Sequence, residues 1–386
     1  MSDNEKNDDI PWRAPNPDAP LDEARVLASV RKEIDVIDDE LVDLLNRRAR
    51  VSRRVGRIKA RSGGKILKPG REKALLDKLS ELNPGPLPDA HLRAIYREII
   101  SSSRDMQQRL KVVYLGPEGT FSYFAGQEYL GSSADYTPRP TIPGVFASVA
   151  GGNADYGVIP LENSLQGTVG QSLDCFQQYE VYIQSEILAR ISHSLLSTSD
   201  SLGDITQVYS HPQALEQCGG WLRANLPLAD ITPTESTAAA ARMVVKKKNA
   251  AAIGHIKLAE MCGLKVLASP IEDSPDNWTR FFIIGTEPVA DPDNVKTSIL
   301  FTTANKPGSL ANMLNVAAEE GVNLSKLESR PIKSEKWKYI FFADLDCDLR
   351  SEALRKALGR LEEACLTFRI LGSYPQGQQI DVRHQA

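Results

Sequence analysis

The stretch DEARVLASVRKEIDVIDDELVDLLNRRARVSRRVGRIKAR, residues 22–61, decides how the first part of the chain folds. Its apolar residues Leu27, Val30, Ile34, Ile37, Leu41, Leu44, Val51, Val55 and Ile58 recur at helical spacing, so one long amphipathic helix is predicted from Asp22, a plausible cap, to Arg61. At about 1.5 Å per residue a helix of about 40 residues spans about 60 Å, more than a small domain needs for its own core. The stripe therefore calls for a partner outside the domain. One seam position, Arg48, breaks the pattern. A buried, unpaired guanidinium costs several kcal/mol, so Arg48 implies an anion. Lys59, about three turns on, projects from nearly the same face. Arg31 lies about 25 Å back along the axis on another side, so it reaches the same small ligand only from a second, antiparallel copy. These features predict a dimer. Arg47, Arg50, Arg53, Arg54 and Arg57 read as a solvated face.

Upstream, residues 1–20 are Pro-rich and polar, a head expected to be disordered. Downstream, SGGKILKPG (62–70) ends the long helix, a second helix is predicted over 71–82, NPGPLPD (83–89) breaks the chain, and a third follows over 90–110. Residues 21–110 thus read as an all-α, three-helix domain. From Lys111 short β-branched runs (VVYLG, YGVIP, VYIQ, VYS, AAIG, RFFIIG) alternate with helical stretches, the α/β pattern, over 111–286. TEPVADPDNVK (286–296) reads as a linker. Residues 296–373 then give the order βαββαβ, an α+β ferredoxin-like module, with a tail over 374–386.

The bulk numbers agree with several soluble domains. At 386 residues, two to four domains of roughly 100 to 200 residues are expected. With 41% hydrophobic and 25% charged residues, each can bury a core without metal or disulfide support. The five cysteines (Cys175, Cys218, Cys262, Cys347, Cys365) are scattered, with no C-x-x-C pair, and read as reduced thiols. No apolar run is long enough to span a bilayer and the N-terminus has no signal-peptide pattern, so a cytoplasmic protein with no membrane partner is expected. The net charge of −4 hides an asymmetry: residues 22–110 hold 20 Lys or Arg against 14 Asp or Glu. The helical domain favours an anionic ligand.

On VRKEIDVIDDELVDLLNRRARVSRRVGRIK (30–59), the pair Arg71-Glu72, and Ser103 and Gln107 on the third predicted helix, the first domain resembles the all-helical chorismate mutases. The resemblance implies a pericyclic rearrangement of chorismate to prephenate, which needs no nucleophile or proton shuttle, only the reactive conformer and stabilised charge on the breaking ether oxygen. It implies that Arg31 (from a partner chain) and Arg48 clamp the carboxylates with help from Ser103. Lys59 and Gln107 would then donate to the ether oxygen, and Glu72 would hold the ring hydroxyl beside Arg71. Lys68 stands where other members can carry an acidic residue.

In the α/β domain four polar clusters fall at predicted strand ends: GPEGTFS (116–122), ENSLQGT (162–168), SHPQALEQC (210–218) and NWTRFF (277–282). In this order they resemble prephenate dehydratase. The resemblance implies two α/β lobes around a cleft, like a periplasmic binding protein, and a decarboxylating dehydration of prephenate to phenylpyruvate. Thr279 would be the hydroxyl donor, with Glu162, Asn163, Ser164 and Gln217 shaping the site and Arg280 a carboxylate anchor or lobe-fixing ion. His193 and His211 read as structural residues. Neither nucleotide-binding fingerprint, G-x-G-x-x-G or G-x-x-x-x-G-K-[ST], occurs, and no cofactor or metal is required.

NKPGSLANML (305–314) and ESRP (328–331) make the last module similar to ACT domains, amino-acid sensors that usually pair across a dimer. The resemblance implies L-phenylalanine as effector, held between Gly308, Ser309 and Leu310 and the segment Glu328, Ser329, Arg330, Pro331. Two rival readings fit the sequence less well. A nucleic-acid-binding regulator leaves Arg48 unexplained and lacks base-reading partners in residues 47–61. A mutase fused to a prephenate dehydrogenase would need the missing nucleotide fingerprint.

Overall fold

In the computed structural model the described residues are 23–62, 66–289, 295–332, 338–346 and 352–380. The head, the cap at Asp22, Cys347 and residues 290–294 of the linker lie outside them. Helices α1 (Glu23–Ser62), α2 (Pro69–Glu81) and α3 (Asp89–Asp105) build the first domain. The third helix is shorter than its sequence pattern implies, because the chain must turn into the first strand. Backbone N–H groups of Gln107 and Gln108 both bond to the Arg104 carbonyl, at 2.8 and 2.9 Å. Gln107 thus sits in the turn beyond α3, where its side chain donates to the Ser103 carbonyl at 3.0 Å and satisfies one of the helix's open acceptors. Gly56 lets α1 close on that turn, since a Cβ there would come within 2.8 Å of Gln107 Cγ. Elsewhere α1 holds its apolar stripe out to solvent: Ile34, Ile37 and Leu41 are 51%, 55% and 49% exposed.

The next segment builds one lobe from β1 (Lys111–Leu115), α4 (Phe121–Leu130), β2 (Asp135–Arg139), α5 (Ile142–Ala150), β3 (Tyr156–Asn163), β4 (Gly167–Thr168), α6 (Gly170–Gln178) and β5 (Tyr182–Arg190). The chain crosses to a second lobe, β6 (Ser194–Ser197), β7 (Gln207–Ser210), α7 (Pro212–Gln217), α8 (Gly219–Asn225), β8 (Asp230–Pro233), α9 (Thr237–Val244), β9 (Ala250–Gly254), α10 (Lys257–Cys262) and β10 (Lys265–Ala268). It then returns as β11 (Trp278–Gly285). The second lobe's sheet runs β10-β6-β9-β7-β8. The last module follows the expected order: β12 (Lys296–Thr302), α11 (Ser309–Glu319), β13 (Asn323–Pro331), β14 (Tyr339–Asp346), α12 (Glu352–Glu363) and β15 (Thr367–Tyr374), with sheet order β13-β14-β12-β15. Within the tail, β16 (Gln378–Ile380) pairs parallel with β5, so the first lobe's sheet runs β16-β5-β11-β3-β1-β2 with β4 on β3.

β11 organises the molecule. Its aromatic and β-branched run alternates between two cores: Phe281 and Ile283 pack with Phe124 and Leu130 of α4, whereas Phe282 and Ile284 pack with α5 and α6. That second core also takes in Leu300, Phe342, Leu371 and Tyr374. The C-terminal module therefore shares a core with the first lobe. Between the last two domains the expected linker joins parts that are packed together.

Candidate active sites

In the helical domain the seam charge finds a partner across the helices. Arg48, half-buried, donates to the Ser103 hydroxyl and lies 3.4 Å from the Ile99 carbonyl. Ser103 in turn donates to that carbonyl at 2.7 Å. Beyond Ser103 stands Gln107, whose Oε1 is buried without a hydrogen-bond partner. Lys59 reaches the Ile66 carbonyl at 3.3 Å. Burial, then Lys68 and Arg71, push its pKa below the ordinary lysine value, with Glu72 opposing. Burial raises the Glu72 carboxyl above the ordinary value, against the pull of Arg104 and Lys59. Arg104 is 3.0 and 3.2 Å from the two Glu72 oxygens and also donates to the Leu130 carbonyl at the end of α4. So Arg48, Ser103, Gln107, Lys59 and Glu72 share one side of the domain, with Arg71 exposed at the rim. Arg31 lies on the exposed part of α1, and one chain does not bring it there.

Between the two lobes a cavity of about 420 Å³ is lined by Thr120, Phe121, Asn163, His193, Gln217, Glu235, Thr237 and Thr279, among others. β3 and β11 pair with Thr279 directly opposite Asn163, so their side chains share a face. Asn163 Nδ2 donates to Thr279 Oγ1 at 2.9 Å and to Asn277 Oδ1 at 2.8 Å. Gln217 enters from α7, its Oε1 taking Asn277 Nδ2 at 3.0 Å and meeting His193 Nε2 at 2.9 Å. His211 caps α7 by accepting from the Gln213 N–H at 3.3 Å, the structural role expected of it.

Three residues expected at this site lie elsewhere. Arg280 does not reach the cavity: its guanidinium is buried between Glu186 of β5, Asp344 of β14 and the Tyr374 hydroxyl. As the residue after Thr279 it points to the opposite face of β11, so of its two expected roles the carboxylate anchor is ruled out and the structural ion remains. Glu162 likewise faces away, pairing with Lys326 of β13 at 2.8 Å. Ser164 is exposed and braces the return crossing, donating to the Asp276 carbonyl at 3.0 Å and accepting from the Trp278 N–H at 2.9 Å. Sequence reading missed Asn277 and His193 as members of the network. Asn277 stands inside the quoted NWTRFF cluster, and an amide side chain directly before the strand run was the available signal.

In the C-terminal module Gly308, at φ +82°, makes the left-handed turn into α11. Gly308 and Ser309 line a cavity of about 430 Å³ with Lys306, Asn312 and Cys365, while Leu310 packs inward against the module's core. Glu328, Ser329 and Arg330 do not line that cavity. They stand on the edge strand β13, where Thr168 of β4 donates to Glu328 at 3.1 Å and Arg330 pairs with Asp174 of α6 at 3.2 Å. One chain therefore does not bring the two expected effector segments together.

An all-helical domain with a clustered cationic site, a two-lobed α/β domain with a hydroxyl-centred cleft, and a ferredoxin-like module define a fused isomerase and lyase with a sensor-type domain. Family profiles match in the same order: chorismate mutase type II over residues 30–108, prephenate dehydratase over 112–289 and ACT domain over 297–363. The chain is 42% identical to the bifunctional chorismate mutase/prephenate dehydratase of Aquifex aeolicus, over 91% of this chain and 98% of that one. It belongs to the bifunctional chorismate mutase/prephenate dehydratase family. Among solved structures it is similar to the prephenate dehydratase of Arthrobacter aurescens in complex with L-Phe, with 32% identity, TM-score 0.64 and coverage of 71% of this chain and 93% of that one. It is also similar to GqqA, described as a novel type of quorum quenching acylase, with 29% identity, TM-score 0.63 and coverage of 69% and 98%. Among the described residues no helix is long and apolar enough to cross a membrane, and no cluster of His, Cys, Asp or Glu could hold a metal ion.

Proposed function

We propose that the two sites act in sequence on one carbon skeleton, chorismate to prephenate in the helical domain and prephenate to phenylpyruvate, carbon dioxide and water between the lobes. In the first site Arg48, Ser103 and Arg31 of a second chain hold the two carboxylates. Lys59 and Gln107, whose Nε2 has a second N–H besides the one given to the Ser103 carbonyl, donate to the ether oxygen as its bond breaks, while Glu72 accepts the ring hydroxyl. In the second site the Thr279 hydroxyl donates to the leaving ring hydroxyl. The C–O bond breaks as the ring carboxylate departs as carbon dioxide, the freed electron pair completes the aromatic ring, and the departing hydroxide takes a proton to become water.

The observation that carries this reading is the polarity at Thr279. Its oxygen already accepts from Asn163 at 2.9 Å, so its own proton is left to donate. The half-exposed stripe of α1 supports a second chain, and with it Arg31 in the site. None of the four described cysteines forms a disulfide, which supports a reducing, cytosolic setting. L-phenylalanine is the effector we assign to the ACT module, bound between Gly308–Leu310 of one chain and Glu328–Arg330 of another. The complex of the Arthrobacter protein with L-Phe supports that choice of ligand.

The test supplies chorismate alone, without nucleotide. The wild-type protein is expected to produce phenylpyruvate. Arg48→Ala should leave chorismate unconverted while still consuming added prephenate, and Thr279→Ala should stop at prephenate, with a loss of about 10²- to 10⁴-fold that Thr279→Ser partly restores. Equal loss of both activities in either folded variant would overturn the assignment of two independent sites.

A further inference from the structure

The cavity's hydrogen bonds form a directed chain whose polarity is set by backbone geometry. Asn163 Oδ1 accepts from the N–H groups of Leu165 and Gln166 at 3.1 and 3.2 Å. Those donors cannot be reversed, so the amide cannot flip and Nδ2 must face Asn277 Oδ1 and Thr279 Oγ1. Asn277 has then used its carbonyl, and its Nδ2 is committed to Gln217 Oε1. Gln217 Oε1 is an acceptor, so His193 Nε2, 2.9 Å away, must carry the imidazole proton. The chain ends on two buried atoms with no hydrogen-bond partner, Gln217 Nε2 and His193 Nδ1.

Asn277 is the link on which this order depends. It is fully buried, at 0% exposure, in the segment that carries the chain back from the second lobe. Its backbone carbonyl accepts from the Ile191 N–H at 2.7 Å, tying the two crossings together. Its side chain joins Asn163 of the first lobe to Gln217 of the second. We propose that Asn277 is a positioning residue of the dehydratase: it transmits the polarity fixed by the Leu165–Gln166 turn to Gln217 and His193, locking His193 as the Nε2–H tautomer and holding the Gln217 amide N–H₂ as an unspent donor beside the cavity. This deepens, and rests on, the reading of Thr279 as the hydroxyl donor. Burial lowers the His193 pKa, in keeping with a neutral ring.

Asn277→Asp, compared at a pH where its carboxyl is ionised, is the discriminating variant, because it then keeps the acceptor toward Asn163 and turns the donor toward Gln217 into a second acceptor. Gln217 then has to reverse its amide, which presents a donor to His193 Nε2 and moves the ring proton to Nδ1. In the full-length protein, ¹⁵N NMR of His193 is expected to show the Nε2–H tautomer in wild type and Nδ1–H in Asn277→Asp. Dehydratase kcat should fall about 100-fold, the scale of a misplaced catalytic group, with KM little changed and mutase activity intact. His193→Gln, which can donate from the same place, should keep most of the kcat that His193→Leu loses. An Nδ1–H tautomer in wild type, or an Asn277→Asp protein with normal kcat, would overturn the proposal while leaving Thr279 as the donor. Should Asn277→Asp fail to fold, the wild-type tautomer and the two His193 variants decide. Near-normal turnover in Thr279→Ala would instead remove the donor reading on which the proposal rests.

Discussion

Burial moves two ionisable side chains of the mutase site in opposite directions. Lys59 falls below its ordinary value, chiefly through loss of hydration, and Glu72 rises above its own for the same reason. If Lys59 donates to the ether oxygen it must stay protonated, so mutase activity is lost as pH climbs through that lowered pKa. If Glu72 accepts from the ring hydroxyl it must stay ionised, so activity is lost as pH falls through that raised pKa. The pH profile of mutase kcat/KM should therefore be narrower at both ends than for an ordinary lysine and glutamate. Arg104 opposes the rise at Glu72 through two hydrogen bonds at 3.0 and 3.2 Å. Replacing it by Gln should move the acid limb of the mutase profile to higher pH while leaving the dehydratase profile with added prephenate unchanged. An acid limb that stays in place would show that the Glu72 carboxylate is not what titrates.

At the scale of elements, α1 is a helix most of whose apolar stripe its own chain leaves exposed. Its C-terminal half meets α3 at Arg48 and the turn beyond α3 at Gly56, whereas among the described residues the stripe from Val30 to Leu44 stays about half exposed. Covering each such aliphatic side chain contributes on the order of 1 kcal/mol, so the second copy proposed above would stabilise the helix by several such contributions. An Ile34→Asp/Leu41→Asp double variant should shift the protein toward monomer in sedimentation. It should also lower mutase activity at least about 100-fold through loss of Arg31 from the shared site, with the dehydratase retained. A monomer with full mutase activity would remove Arg31 from the site. The same element shows what the sequence disclosed. Three-four spacing was enough for α1, and the apolar run of β11 and the βαββαβ order were legible because each is local. Glu162 and Arg280 were not, because the groups that claim them, Lys326 and Asp344, come from another domain and more than sixty residues further along the chain. Gln107 was misplaced on a helix for the opposite reason, since periodicity runs on past Asp105 although the chain must turn into β1.

At the scale of the whole molecule, the ACT module is fused to the dehydratase by a core and by a buried ion cluster. Removing everything from Lys296 onward would strip Leu300, Phe342, Leu371 and Tyr374 from the first lobe's core and leave Arg280 and Glu186 without Asp344 and Lys296. Such a truncation would report on stability before it reported on regulation. The polar contacts at β13 offer a cleaner cut. Lys326 donates to Thr168 Oγ1 at 3.0 Å, and that hydroxyl donates on to Glu328 at 3.1 Å. Thr168 lies in β4, paired with Glu162 and next to Gly167, the register partner of Asn163, so the strand that carries the proposed effector segment also touches the hairpin beside the proposed hydroxyl donor. An effector inhibits only by favouring one arrangement of that contact over another, and a coupling of about 1 to 3 kcal/mol corresponds to a change of about 5- to 150-fold in affinity. Thr168→Val keeps the shape of the residue and removes its hydroxyl. It should leave L-phenylalanine binding near normal by calorimetry and dehydratase turnover largely intact, yet weaken inhibition by most of that factor. Inhibition unchanged in Thr168→Val would route the signal away from this hydroxyl and toward the ion pairs between the two domains, among them Lys326–Glu162 and the Arg280–Asp344 contact, one residue from Thr279 on β11.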